Sequence, residues 1–406
     1  MILALDPLFL DNIGLSVVLI ALLKVVLAFA IILVAVMFMV WFERKVISDM
    51  QHRIGPNIAG PWGLFQTLAD GLKLLMKEDL VPEHSNRVVF KLAPFLSIVP
   101  AFLTFSIIPL GGNFESKGGV IHIFGHDTFL QIADPPIGIL LALAMSSIAV
   151  YGVMLAGWAS GSKFPLLGSV RASAQMVSYE AALGLSVAAI ILQSGSLSTH
   201  NMVVDQATGG FGGFIPNWNL IVTGFVPFVI FLIAGTAELN RPPFDLVEAE
   251  QELVGGFHTE YSSFRFAIFF LAEYLNTITM SAIIVTIFLG GPSGPVLIDG
   301  IDWAWGILWF LVKLFVFLFT FVWFRATLPR FRYDQLMDFG WKMLIPLSLG
   351  WFLFLGALDI SNDRGWNAAL VVGVTVVAGV AGGALLTAAV RTARTERLNQ
   401  EVDLHG

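Results

Sequence analysis

Nine stretches of predominantly apolar residues run through this chain, at roughly 15–42, 89–110, 136–157, 171–194, 220–239, 265–290, 303–324, 342–358 and 367–390. Each approaches the ~20 residues that a helix needs to cross a bilayer, where only helices and closed barrels satisfy their own backbone polar groups. Composition agrees. Hydrophobic residues make up 57% before the 39 Gly are counted, and charged residues only 13%, about half the ~25% of a soluble domain. The sequence therefore specifies an all-α fold: a polytopic transmembrane helical bundle of about nine spans. Pro94, Pro100, Pro227 and Pro346 fall inside spans, which membrane helices tolerate where neighbours satisfy the freed carbonyls.

The chain contains no Cys. That excludes iron–sulfur clusters, thiolate zinc sites, disulfides and c-type haem in this chain. The seven His lie outside the nine stretches, so paired axial haem ligands inside a bilayer are excluded too. His122 and His126 stand four apart, but the neighbouring Gly residues make a loop the better reading than a metal site. A net charge of −7 argues against nucleic acid, which asks for basic patches. Asp6 and Asp11 stand where a cleaved leader would carry basic residues, so the amino terminus reads as an uncleaved first span.

Basic residues set the orientation. Of the 22 Lys and Arg, only Lys117 and Arg364 fall in connections on one side, Lys24 and Lys313 lie within spans, and the remaining 18 lie on the other side. This places the N-terminus outside and the C-terminus in the cytoplasm. Trp41, Trp158, Trp323 and Trp341 mark inner ends, and Trp218, Trp303, Trp305 and Trp366 mark outer ends, as interfacial belts do. Between spans one and two the chain is too polar to cross. From Trp62 to Glu78, Leu64, Phe65, Leu68, Leu72 and Leu75 recur at three- and four-residue spacing opposite Gln66, Asp70, Lys73 and Lys77. The pattern predicts an amphipathic helix on the inner surface, reached through turns at Gly55-Pro56-Asn57 and Gly60-Pro61.

Polar chemistry concentrates on the inner side in three patches. The first, Glu43-Arg44-Lys45 with Gln51 and Arg53, closes span one. Headgroup anchoring accounts for Lys45, whereas Arg44 and Arg53 have Glu43, Asp70 and Glu78 near in sequence as partners. The second reads AELNRPPFDLVEAEQELVGGFHTEY from Ala237, with six carboxylates against one Arg and one His. Asp245 and Glu248 fit a capping box ended by Gly255-Gly256, which leaves Glu238 at the tail of a span and Glu273 inside span six unexplained. Carboxylates at membrane depth, Glu180 included, line water, pair or carry protons. Facing one another in low dielectric they titrate as a coupled set. The third patch, RATLPRFRYDQLM from Arg325, suits lipid headgroups at Arg330 and Arg332. Lys24 and Lys313 are weaker candidates, since either can snorkel. Phe257, Tyr261 and the aromatic run into span six could line a site for a long lipid-like ligand.

Taken together, ERKVISDMQHRIGPN from Glu43, GPWGLFQTLADGLKLLMKE from Gly60, and the second and third patches resemble the H subunit of bacterial respiratory complex I, NADH:quinone oxidoreductase, the counterpart of mitochondrial NADH dehydrogenase subunit 1. The resemblance spans the chain from span one to about residue 345. It implies a membrane subunit through which quinone enters between the first and sixth spans and the surface helix, with the ring reduced beyond this chain. NADH, FMN and iron–sulfur clusters would belong to partner subunits, and this chain would bind quinone as substrate with no cofactor of its own. Carried over by motif position, Arg44, Arg53, Asp70 and Arg325 look like polar lining of the quinone tunnel. Glu180, Glu238, Asp245, Glu248, Glu252, Glu260 and Glu273 look like an acidic path toward proton-pumping subunits.

The resemblance also implies partners: the peripheral-arm chains of the quinone site, small membrane-arm subunits, and membrane lipids. The expected location is a bacterial plasma membrane. An eight-span core over residues 1–366 carries these features, whereas a ninth span and short tail over 367–406 lie beyond the shortest relatives. Ile54 stands where mitochondrial relatives can carry a basic residue. Two other readings remain open from the sequence. One is a scaffold subunit of a membrane hydrogenase or other donor-driven dehydrogenase, which shares part of the first motif. The other is a free-standing ion transporter, against which the lack of a clear internal repeat weighs.

Overall fold

The computed structural model describes residues 6–9, 14–208, 210–211, 215–246, 253–296, 298 and 301–405. Helix α1 (Leu15–Met50) is followed by the short surface helix α2 (Gln66–Met76) and by α3 (Arg87–Phe105). After a single turn, α4 (Phe114–Lys117), strands β1 (Val120–Ile123) and β2 (His126–Phe129) form an antiparallel hairpin. Then come α5 (Gly138–Ala159), α6 (Lys163–Ser194), α7 (Thr199–Ala207), α8 (Asn219–Val222), α9 (Phe225–Glu238), α10 (Ser263–Phe288) and α11 (Asp302–Thr327). Helix α12 (Tyr333–Phe339) runs through a π-helical turn at Gly340–Leu344 into α13 (Ile345–Arg364), and α14 (Ala368–His405) follows.

Eight helical segments among the described residues are long and apolar enough to cross a membrane. The apolar stretch at 220–239 differs from the others. It breaks at Thr223-Gly224 and leaves α9 only 14 residues long, about 21 Å at 1.5 Å per residue. The break is held by Trp351, whose indole Nε1 donates to the Thr223 carbonyl at 2.9 Å. Packing on α6, α10 and α13 covers so short a helix, and protein cover is the condition for interrupted backbone at membrane depth.

Helices α3, α5, α6, α9 and α10 close into a ring, each packed on the next and α10 packed back on α3. Close approach in this ring depends on Gly152. A Cβ there would stand 2.8 Å from the Ser97 backbone N on α3. Helix α10 is the most enclosed element, buried at nearly every position from Thr277 to Phe288. Helix α1 packs on α10 and α11 and turns Leu19, Leu22, Val26 and Phe29 outward, as a lipid-facing helix does. Helix α14 packs along α13 and leaves Val374, Val377 and Val380 exposed.

The predicted helix over Trp62–Glu78 begins later than its periodicity suggests. Trp62 and Gly63 both have positive φ and sit in a 3-10 turn, and the α-helix starts at Gln66. Gly63 is required at that turn, because a Cβ would lie 2.4 Å from the Pro56 carbonyl. Helix α2 buries none of its residues, and Leu68, Leu72 and Leu75 remain about half exposed. That is the disposition of an interfacial helix.

The segment carrying His122 and His126, read as a loop, is the β1–β2 hairpin, turned by Phe124 and Gly125 at positive φ. Strand alternation separates the two His: His122 Nδ1 meets Asp127 at 2.7 Å, and His126 Nε2 meets Ser16 at 3.1 Å. The two intramembrane lysines are also partnered at this end of the bundle. Lys24 Nζ donates to Asp6 at 2.6 Å and to Thr128 at 2.5 Å. Lys313 Nζ donates to the carbonyls of Leu289, Gly291 and Ser293 at 2.8, 3.0 and 2.8 Å and faces the Trp218 ring.

Candidate quinone groove and acidic cavity

The opposite end of the bundle carries Arg44, Arg53, Arg241 and Arg325, and its centre is Glu43. This residue ends the buried stripe of α1, 3% exposed. Its Oε2 accepts from Arg241 Nη1 at 2.6 Å, and its Oε1 accepts from the Tyr274 hydroxyl at 3.0 Å and from Arg325 Nη1. Arg241, 1% exposed, follows the C-terminus of α9 and also holds Glu273 of α10, Nη2 to Oε1 3.2 Å, with its guanidinium over the Tyr274 ring at 4.8 Å. Burial alone would favour a neutral Arg241. The Glu43 and Glu273 carboxylates more than offset this and push its pKa above the ordinary value.

An open groove of about 540 Å³ runs over this cluster, bordered by Glu43, Arg44, Arg53, Phe270, Tyr274 and Arg325. Three residues singled out from sequence, Arg44, Arg53 and Arg325, thus share one wall. Asp70 stands at its edge, where Arg44 Nη1 donates to Asp70 Oδ2 at 2.6 Å and so ties α2 to α1. Arg53 donates to Gln51.

Behind Phe270 lies a second cavity of about 280 Å³, bordered by Phe257, Phe269, Glu273, Asn276 and Glu238. A smaller third cavity of about 60 Å³ shares Glu238 and Asn276 with it and is enclosed by all five ring helices, with Ser146 in its wall. Glu238 accepts from Ser146, and Glu180 accepts from Ser147, the next residue on α5. Groove and cavities therefore adjoin in turn: Phe270 borders the groove and the second cavity, and Glu238 and Asn276 border the second and the third.

The remaining sequence-predicted residues fall elsewhere. Phe257 borders the second cavity rather than the groove. Tyr261 borders neither; its ring stacks on Phe90 with centroids 4.0 Å apart, and its hydroxyl donates to the Phe90 carbonyl at 3.1 Å. Asp245 is buried and accepts from Arg330 Nη2 at 2.8 Å. Glu260 is half buried in the turn ahead of α10. Glu248 and Glu252 lie outside the described residues. Among the described residues no group of three or more His, Asp or Glu is placed to hold a metal ion.

Comparison with known proteins meets this geometry. The model of a family described as NADH dehydrogenase matches residues 23–356. The NADH-quinone oxidoreductase H subunit of Frankia alni is 48% identical over 366 residues, covering 88% of this chain and 78% of the relative. The protein of the same name from Cutibacterium acnes is 47% identical over 373 residues, covering 87% and 82%. The chain belongs to this family. That assigns it, as a subunit, to an oxidoreductase of NADH and quinone.

Within this member of the family, the sequence marks Glu43 only as a partner for Arg44 and Arg53 and Tyr274 only as one of the aromatic run into span six, and it does not mark Arg241, Asn276 or the Ser146–Ser147 pair as site residues. A signal for Arg241 was legible: it is the one Arg among the six carboxylates between Glu238 and Glu260, and so many acids at a membrane edge need a shared cation. Nothing comparable marks Asn276 or the serines, whose roles depend on which helices adjoin.

Proposed function

We propose that this chain forms the tunnel through which quinone enters a proton-pumping NADH:quinone oxidoreductase and couples quinone reduction to proton translocation. The observation that carries this reading is that Phe270 borders both the arginine-lined groove and the acidic cavity behind it. The groove offers guanidinium donors and aromatic walls to a polar ring on an apolar tail. The cavity offers carboxylates that hold protons in a low dielectric. Arg241 joins the two, because it pairs at once with Glu43 on the groove side and Glu273 on the cavity side.

In this reading quinone is the substrate, reduced just beyond the groove by electrons from NADH through FMN and iron–sulfur clusters held in partner subunits. A change of charge at the groove acts on Glu43 and Arg325 at close range, where Coulomb interactions are weakly screened. Arg241 then shares its charge differently between Glu43 and Glu273. Glu273, Glu238 and Glu180 respond by passing protons toward neighbouring membrane-arm subunits, with Asp245, Glu248, Glu252 and Glu260 supplying further acidic sites. Asp70 and Arg44 hold the surface helix at the mouth.

The 18 basic residues that the sequence assigns to one side, with Arg44, Arg53 and Arg325 of the groove among them, support a multi-pass chain in a bacterial plasma membrane with the N-terminus outside and the C-terminus cytoplasmic. Residues 1–366 form the working core, and 367–406 add a further span, none of whose described residues borders the groove or the two cavities. The test is Glu238→Gln in the assembled complex in proteoliposomes. Protons translocated per quinone reduced should fall severalfold while the complex stays assembled. Unchanged turnover and pumping would remove the acidic path from the mechanism.

A further inference from the structure

Helix α5 is almost wholly apolar through its middle, and Ser146 and Ser147 stand together there among Leu, Ala, Met and Ile. Successive residues on an α-helix point about 100° apart, so an adjacent pair addresses two different neighbours. Ser146 Oγ donates to Glu238 at the end of α9, and Ser147 Oγ donates to Glu180 in the middle of α6. The two carboxylates come from helices 58 positions apart in sequence, and the serine pair spans them.

Ser147 has a second acceptor. Its Oγ lies 3.1 Å from the Leu143 carbonyl one turn back on its own helix. A hydroxyl carries one proton and two lone pairs, so Ser147 donates to Glu180 when Glu180 is ionised and to Leu143 when Glu180 is protonated and itself donates. Either state of the acid is satisfied without moving the backbone. Ser146 borders the small cavity that also holds Asn276, whose volume of about 60 Å³ exceeds the ~10–15 Å³ that one water requires.

We propose that Ser146 and Ser147 are the bridge over which a proton passes between Glu238 and Glu180, a role that rests on the acidic-path reading above and adds two relay residues to it. The step balances as a hydroxyl shuttle. The carboxylic acid of Glu238 gives its proton to Ser146 Oγ, and the original Ser146 proton passes to Ser147 Oγ on the adjacent residue through one bridging water. The original Ser147 proton ends on the Glu180 carboxylate. One proton has moved, both hydroxyls are whole, and rotation about their Cβ–Oγ bonds resets them. Serine is suited to this task because its hydroxyl both donates and accepts while remaining uncharged.

The experiment compares Ser146→Ala/Ser147→Ala, Ser146→Thr/Ser147→Thr and Glu238→Gln with the parent, each as the assembled complex in proteoliposomes. Quinone turnover, protons moved per quinone and the solvent deuterium isotope effect are read together. The Ala pair should cut proton translocation at least about tenfold, below the 10²–10⁴ typical of a lost acid–base group because water in the cavity carries some traffic. The Thr pair, which keeps both hydroxyls, should retain translocation and the isotope effect. If the Ala pair pumps as the parent does while Glu238→Gln is impaired, the bridge is overturned and the acidic path stands. If neither is impaired, both fall. If the Thr pair fails along with the Ala pair, shape rather than the hydroxyl matters, and the bridge is again overturned.

Discussion

Replacing Glu43 by Gln keeps its size and removes the charge on which two arginines and a tyrosine converge. Glu43 lies 3% exposed and Arg241 1% exposed, so neither can turn to solvent. The variant keeps a single acceptor oxygen, so it loses outright one of the two charge-assisted hydrogen bonds from Arg241 and Arg325, worth about 1.5–3 kcal/mol, and weakens the other. It also leaves Arg241 with Glu273 at 3.2 Å as its remaining ionic partner. Breaking a buried pair by removing one member costs about 3–5 kcal/mol, because the survivor keeps its desolvation penalty. Arg325 is about one-third exposed and recovers part of its loss through hydration, which puts the expected cost near 4 kcal/mol. Unfolding of the complex in detergent, followed by tryptophan fluorescence against denaturant, measures it. Glu43→Leu with Arg241→Met should cost less than Glu43→Gln alone, since the fully buried cation is gone and the two groups that lose a partner, Arg325 and Glu273, are each partly exposed and can hydrate. A loss below about 1 kcal/mol for Glu43→Gln, the range of exposed pairs, would refute the view that this cluster is dry and mutually dependent.

Three further outcomes are expected away from the groove. Asp134, in the loop ahead of α5, is buried and has its pKa raised to about 6, although Ser198 donates to its carboxylate. A raised folded-state pKa means stability falls as pH rises from about 4 through 6, so Asp134→Asn should be more stable than the parent by up to about 3 kcal/mol at pH 7.5 and equal to it near pH 4; denaturant midpoints at both pH values decide it. His200, whose pKa burial lowers to about 4, acts oppositely in both proteins and cancels in the difference. Lys313→Met should cost about 3 kcal/mol by stranding three carbonyls while leaving quinone reduction unchanged; a stability loss under 1 kcal/mol would contradict the cap. Gly152→Ala should cost about 1–3 kcal/mol by driving α5 from α3, read from the same denaturation curves, and a neutral result would mean that the two helices are not in backbone contact.

How much of this was legible in the sequence follows from the range of each force. Apolar length is a local property, so eight of the nine stretches appear as long helices, although α1 continues to Met50, α6 begins at Lys163 and α14 continues to His405, because polar residues extend a helix that apolar length alone does not count. The exception, 220–239, is interrupted at Thr223 because Trp351, more than a hundred residues away, captures its carbonyl. Amphipathic periodicity likewise located α2, yet its first turn is lost to contact between Gly63 and the Pro56 backbone, which no helical pattern records. Charges were legible as a side of the membrane and as patches, which is why Arg44, Arg53 and Arg325 meet in one groove.

Pairing was less legible, because it is decided by which helices adjoin. Glu43 and Arg241 are 198 positions apart, and only the packing of α1 beside α10, at the tail of α9, makes them partners. Tyr261 shows the converse. Its place in an aromatic run suggested a ligand wall, but a flat neighbour in Phe90 at 4.0 Å absorbs its face, and the ring fills a core instead. The serine pair on α5 lies furthest from sequence reach. Two adjacent serines in an apolar helix look like ordinary helix back-bonding, and they gain meaning only when α6 and α9 deliver one carboxylate to each. Where a bundle hides its polar chemistry inside a ring of five helices, hydropathy identifies the ring members, and the order in which they close decides which acids are neighbours.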